Sequence, residues 1–382
     1  MRCAPPAVLL VLAAVLALAA PAPAAERSAP VGFMGVQVDG PLLDPGTDLE
    51  REFDLMAETG VESIRHVVYW ADLQPYPRRA SIPAADRDRF VDVEGVPTDF
   101  GATDRVFVAA ARRAFTVLPV VLRAPRWARQ APERLASPPR DDVAFARVLR
   151  ALVGRYGPAG TLWNQRPDVP RRPQREWQVW NEPNIDTYWS SPRPFAPRYV
   201  RLLRAARSAL KGADPGARIV LCGFANFSWR ALDAVYDAGA RGLFDVAAVH
   251  PFTGPVRFVG RIVELNREVM ARHGDGRRPL IISELSWPSA RGKTRTTSRF
   301  ETTEEGQATR LRQVYRLLLR DRRRLRLERV LWYTWLSADR DSPNAFSWSG
   351  LRKLGPRGRD APVSKPAFRA YRRIAREVQG RR

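Results

Sequence analysis

Trp177-Gln178-Val179-Trp180-Asn181-Glu182-Pro183-Asn184 is the stretch from which the rest of the chain is read. Its first half has the composition of a buried strand, aromatic and β-branched, and a basic, Pro-rich loop (167–174) precedes it. Asn181 and Glu182 then stand where the strand should end, and Pro183 stops further ladder pairing. A carboxylate beside an amide at the C-terminal end of a strand is where a parallel α/β barrel carries chemistry. A solvated glutamate before a turn is the plainer reading. Trp177, Trp180, Tyr188 and Trp189 count against it, because sugar sites combine flat apolar faces with polar groups.

A second carboxylate has the same setting. Residues 279–288, PLIISELSWP, form an apolar strand followed by Glu284, Trp287 and Pro288. The two glutamates are 102 positions apart, the length of about three βα repeats at ~30–40 residues each. Two strand-end carboxylates facing one cleft are what glycoside hydrolysis requires, one as acid/base and one as nucleophile or water activator.

These motifs resemble those of the clan A retaining glycoside hydrolases, with families 39 and 5 nearest. Trp180-Asn181-Glu182-Pro183-Asn184 and Ser283-Glu284 carry the resemblance, which runs from about residue 31 to about 371. It implies a (β/α)8 barrel, Glu182 as acid/base at the end of strand 4 and Glu284 as nucleophile at the end of strand 7. It implies that Asn181 binds the sugar and that Trp335 is the aromatic platform beneath it, with Tyr333 on the same face. A buried core tryptophan is the other reading of Trp335. The turn Ala124-Pro125-Arg126-Trp127-Ala128 is similar to one in the clan. Trp127 either stacks on sugar or packs that turn. Arg65 lies inside an otherwise apolar strand and needs a carboxylate partner; the resemblance makes that partner Glu284. His250 ends strand 6. The clan often has His-x-Tyr here, its hydroxyl touching the nucleophile, whereas this chain has His250-Pro251-Phe252. Tyr333 or another group would have to replace that hydroxyl, and the sequence does not choose between them.

The remaining pattern is strand–helix alternation. Strands are expected at 31–38, 61–70, 115–122, 217–222, 244–250, 280–284 and 330–336, besides the one ending at Trp180. Helices are expected at 47–60, 103–114, 141–156, 197–211, 228–238 and 256–272, after Thr302-Thr303-Glu304-Glu305, and from Lys365-Pro366. A long loop, 71–100, is expected to wall the cleft, and another spans 339–362. About eight strands alternating with helices predict a (β/α)8 TIM barrel of the α/β class. An open doubly wound sheet is the second choice, and it gives no reason for polar residues to end so many strands.

Length and composition bound the rest. The chain has 382 residues with 45% hydrophobic content, enough for one large barrel. Residues 1–25 read as a signal peptide: Met1-Arg2, an apolar run over 8–20 and Ala22-Pro23-Ala24 as cleavage site. That run is shorter than the ~20 residues of a membrane span. The expected domain is therefore 26–382, secreted, monomeric and without a transmembrane segment. Beyond the signal the one cysteine, Cys222, lies in an apolar strand and reads as a buried inert thiol. The net charge is +23, nearly all from arginine. Affinity for anionic polysaccharide or cell wall is one reading; solvated helix faces rich in arginine are the favoured one. No basic motif interleaved with aromatics points to specific nucleic-acid binding. There is no Gly-x-Ser-x-Gly, His-Glu-x-x-His, Cys-x-x-Cys or phosphate-binding glycine loop, so neither a metal nor another cofactor is expected. The expected partner is carbohydrate. The rival to catalysis is a barrel that binds glycans without cleaving them, although binding alone needs no carboxylate pair.

Overall fold

The computed structural model describes residues 26–190, 194–294, 299–340, 342–356 and 361–381. The signal-peptide expectation over 1–25 lies outside the described residues. Eight strands form a closed barrel: β1 (Met34–Val38), β2 (Ser63–Tyr69), β3 (Thr116–Leu122), β4 (Glu176–Val179), β5 (Arg218–Phe224), β6 (Val246–Val249), β7 (Leu280–Leu285) and β8 (Leu327–Trp332). Every neighbouring pair is parallel, and β1 pairs with both β2 and β8, which closes the ring. Eight helices follow the strands: α1 (Leu49–Thr59), α2 (Gly101–Arg112), α3 (Asp142–Tyr156), α4 (Ala196–Ala213), α5 (Ser228–Asp237), α6 (Val256–Arg272), α7 (Glu304–Leu325) and α8 (Pro366–Val378). The fold is the (β/α)8 barrel expected from the alternation.

Local chemistry explains the boundaries. The Asp48 carboxylate accepts from the Arg51 N–H at the start of α1, and Gly60, at φ 91°, ends that helix in a left-handed turn. Asp141 and Thr303 cap α3 and α7 in the same way. The strands are buried on both faces, so they read as nearly continuous apolar runs. Their outward side chains join the helices in the main core, while Leu118, Val220, Val246, Ala248, Ile281 and Leu331 form a separate apolar plug. Leu118 is in register with Arg65, and Arg65 with Gln37, so these three side chains face the same way, into the barrel.

Two expectations need correction. Residues 71–100 are not simply loop: they hold the turns Trp70–Leu73, Arg79–Ser81 and Ala84–Arg89 and a hairpin of Val91–Val93 with Val96–Thr98. Strand 8 starts earlier than expected and stops at Trp332, and Leu336–Ser337 belongs to a small separate sheet with Arg352–Lys353 and Val363–Ser364. Among the described residues no helix is long and apolar enough to cross a membrane. Cys222 is free and buried.

Candidate active site

The site is built from the C-terminal ends of the strands. At the end of β4 the backbone turns sharply: Trp180 and Glu182 both have positive φ, 67° and 42°. A non-glycine residue there costs of order 1–3 kcal/mol and persists only if its surroundings impose it. Here they do. The Trp180 N–H donates to the Val121 carbonyl at 3.1 Å and the Glu182 N–H to the Gly223 carbonyl at 3.1 Å. The Trp180 indole donates to the Tyr188 carbonyl at 3.0 Å. The result aims the Glu182 carboxyl across the barrel mouth toward the end of β7.

Arg65, on β2, is 1% exposed and organises the floor of this mouth. It donates to Gln178 Oε1 (2.6 Å), Gln37 Oε1 (2.6 Å), Glu284 Oε1 (2.5 Å) and Asn181 Oδ1 (2.7 Å). A buried guanidinium is tolerable only with its donors so occupied. His250 completes the set. Its Nδ1 lies 2.6 Å from Glu182 Oε1 and its Nε2 lies 2.9 Å from Ser283 Oγ. A Cβ at residue 223 would fall 2.0 Å from that Nε2, so the glycine on β5 makes room for the imidazole.

Burial sets the protonation. It raises the Glu182 carboxyl from the ordinary 4.5 to about 8, against the opposing pull of the Arg65 charge. Burial also lowers His250 from 6.5 to about 4, so the imidazole is neutral near pH 7. Burial raises Glu284 as well, with His250 and Arg65 opposing the rise. The guanidinium touches Glu284 and not Glu182, so the negative charge belongs on Glu284.

A cavity of about 560 Å³ lies over both carboxyls. It is lined by Tyr188 from the β4 end, Asn226 after β5, Phe252 after β6, and Tyr333 and Phe346 after β8. The expected residues divide as follows. Arg65, Asn181, Glu182, His250 and Glu284 meet in one hydrogen-bonded cluster, and Tyr333 lines the cavity above it. Trp335 does not belong there. It is 0% exposed, donates to Glu52 Oε2 at 2.7 Å and packs on Phe368. Strand alternation ends at Trp332, so Tyr333 and Trp335 do not share a face. Trp127 packs its turn, donating to the Gln74 carbonyl at 2.8 Å with its ring against Trp70. Trp177, Trp180 and Trp189 are core residues rather than sugar platforms. The 71–100 segment contributes no residue to the cavity lining. Phe252 lines the same cavity as Glu284, its ring against His250, Phe300 and Phe346, and Arg65 donates to Glu284.

Sequence reasoning missed Gln37 and Gln178 as partners of Arg65, although a polar residue inside an apolar strand is the signal that marked Arg65 itself. It also missed Phe300, in an irregular segment, and Phe346, in the single 3-10 turn Ala345–Trp348, neither long enough for a periodicity to read.

Two sets of metal-type ligands come within 4.8 Å among the described residues: Glu182, His250 and Glu284, and Asp233, Asp237 and His273. In the first set Nδ1 and Oε1 are at hydrogen-bond distance, nearer than the about 3.3 Å between two ligands of a tetrahedral ion. In the second, Asp233 is already engaged by His273 and Arg272.

Comparison with protein-family profiles and with curated proteins gives no match. Comparison with solved structures does. The fold is shared with glycoside hydrolases. A family 39 glycoside hydrolase from Bacteroides cellulosilyticus is similar at a TM-score of 0.58 and 20% identity, over 91% of this chain and 64% of that one. A monomeric beta-xylosidase from Caulobacter crescentus is similar at 0.62 and 16%, over 91% and 69%. An alpha-L-arabinofuranosidase from Thermotoga maritima is similar at 0.60 and 14%, over 92% and 71%. The neighbours fall in families 39, 51 and 5, all of clan A. This chain therefore spans about two thirds of the length of the first of them.

Proposed function

We propose that the protein is a retaining glycoside hydrolase acting on a β-linked O-glycoside. The observation that carries this is the carboxyl pair. Oxygens of Glu182 and Glu284 lie within 4.8 Å of each other at the ends of β4 and β7. Retaining enzymes keep their two carboxyls about 5–5.5 Å apart, and inverting ones about 6.5–9.5 Å, to admit a water between. A nearest-oxygen approach this close lies toward the first range and supports double displacement.

In the first step the ionised Glu284 oxygen bonds to the anomeric carbon. The bond from that carbon to the leaving oxygen breaks, and that oxygen takes the Glu182 proton. The raised affinity of Glu182 for its proton suits this role near neutral pH. Forming the ester removes the Glu284 charge. Glu182, now a carboxylate, takes a proton from water, the water oxygen bonds to the anomeric carbon and Glu284 leaves. Asn181, held by Arg65, is the proposed donor to the sugar 2-hydroxyl through its amide nitrogen.

Secretion is part of the proposal and rests on the pattern of residues 1–25. The glycone is expected to be a sugar of the kind found in oligo- and polysaccharides; the motifs leave open what it is joined to. The second reading, a glycan-binding barrel without catalysis, is favoured by Phe252 in place of a hydroxyl-bearing tyrosine.

Azide separates them. In Glu182→Ala, azide should restore turnover of an activated aryl glycoside and give a glycosyl azide of retained configuration. In Glu284→Ala it should give the inverted azide. An inverted azide from the first variant, or a retained one from the second, overturns the assignment. No turnover of any activated glycoside by the wild type supports the binding protein.

A further inference from the structure

The cavity lining holds two kinds of group. Hydrogen-bonding groups are contributed by Thr187, Tyr188, Asn226, Asn344 and the two carboxyls. An apolar corner is formed by Phe252, Phe300 and Phe346, brought together from the segments after β6, β7 and β8. Their rings lie against one another. Phe252 and Phe300 are nearly parallel, 6.0 Å between centroids with planes at 17°. Phe346 meets Phe252 edge-on at 5.0 Å and Phe300 at 5.8 Å, and the Tyr333 ring packs on Phe346 at 5.7 Å. All three phenylalanines are half-buried.

This corner is a poor seat for a sugar. A pyranose carries a hydroxyl on most ring carbons, and each one pressed against a phenyl ring loses water without gaining a partner. A sugar platform needs one open flat face with polar groups around it. Here the rings pack on each other's faces and edges, and a phenyl ring has no donor or acceptor. Aromatic rings meet an edge-and-face corner of this kind favourably.

We propose that the phenylalanine corner binds an aromatic aglycone. Resting on the glycoside hydrolase reading, this makes the substrate a sugar joined through its glycosidic oxygen to an aryl-bearing group. The sugar takes the polar groups of the lining. The aglycone leaves as an alcohol carrying the Glu182 proton.

The test holds leaving-group acidity nearly constant. Methyl, benzyl and 2-naphthylmethyl glycosides are compared on one glycone, chosen from 4-nitrophenyl glycosides that the enzyme hydrolyses, together with a disaccharide of that glycone. In the wild type, kcat/KM should rise at least about tenfold from methyl to 2-naphthylmethyl, since burying a fused ring system removes ~100 Å² of apolar surface from water. In Phe300→Ser/Phe346→Ser that ratio should fall close to one. A disaccharide cleaved faster than the naphthylmethyl glycoside, or an unchanged ratio in the double variant, overturns the proposal. A second arm needs no turnover: calorimetric titration with 2-naphthylmethanol. The wild type should bind it saturably, and the double variant at least about tenfold more weakly. Equal binding, or none by either, overturns the aromatic site. Binding lost in the variant, with no glycoside hydrolysed by the wild type, keeps the site and discards the hydrolase reading. Should the double variant not fold, Phe300→Ser alone carries both comparisons.

Discussion

Two buried arginine–glutamate pairs in this protein are built to opposite ends. Arg352 grips Glu52 through both carboxylate oxygens, at 2.9 and 3.1 Å, and the Trp335 indole adds a third donor at 2.7 Å. Both Glu52 oxygens thus accept from donors, although Glu52 and Arg352 also border a cavity of about 680 Å³. At the other pair, Arg65 spends one contact on Glu284 and three on neutral amides. The second Glu284 oxygen lies 3.8 Å from His250 Nδ1, with the cavity over it. Both pairs are buried and both join distant segments. Burial and charge therefore do not mark a site by themselves. Nor does a bordering cavity; a second carboxyl of different protonation lining the same cavity does.

The comparison breaks most sharply at the two glutamates. Glu284→Gln should lower kcat on the order of 10⁴-fold or more while the protein still melts cooperatively. Glu52→Gln should do the reverse, costing about 3–5 kcal/mol of stability by stranding Arg352, with turnover per folded molecule unchanged. Denaturant melts beside steady-state kinetics check both. Glu284→Gln that unfolds, or Glu52→Gln that is stable and inactive, would exchange the two roles.

Lys365 offers a second structural control at the barrel mouth. Its Nζ is fully enclosed by Asp339 Oδ2 at 3.0 Å, Ser289 Oγ at 2.7 Å and the Trp348 carbonyl at 2.8 Å. Lys365→Met should cost about 3–5 kcal/mol, because Asp339 is then buried without its partner. Urea denaturation measures it, and a loss below about 1 kcal/mol would show that the contact contributes little.

The next effect is one of pH. Glu182 binds its proton more tightly folded, about 8, than at its ordinary 4.5. The folded state thus holds more protons between these values. Its contribution to stability is complete below about 4.5 and is lost as pH rises through about 8. The wild-type melting temperature should fall from pH 5 to pH 9 by several degrees more than that of Glu182→Gln. The same ionisation should give kcat/KM a descending limb near pH 8. Parallel melting curves for the two proteins would remove the buried acid from the account.

The smallest predicted effect concerns Trp335. Trp335→Phe keeps the packing on Phe368 but removes the indole donor to Glu52, a hydrogen bond to a charged group worth about 1.5–3 kcal/mol. Turnover and KM should not change. A raised KM with intact stability would return Trp335 to the sugar site.

What the sequence determined by itself was the barrel and the carboxyl pair at its mouth. Parallel strands buried on both faces read as apolar runs, so a polar residue inside or ending one stands out: Arg65, Asn181, Glu182, His250 and Glu284 were all legible this way. The aromatic residues were not. Period-two alternation tells which way a side chain points only while the strand continues, and β8 stops at Trp332. Past that residue, packing alone turned Tyr333 into the cavity and Trp335 into the core. Phe300 lies in an irregular segment and Phe346 in a single 3-10 turn, where direction is set by what the chain rests on and not by a repeat in the sequence. The contact of His250 with Glu182 joins residues 68 positions apart. It depends on the missing side chain of Gly223 on a third strand, a vacancy that only the closed barrel brings to the right place.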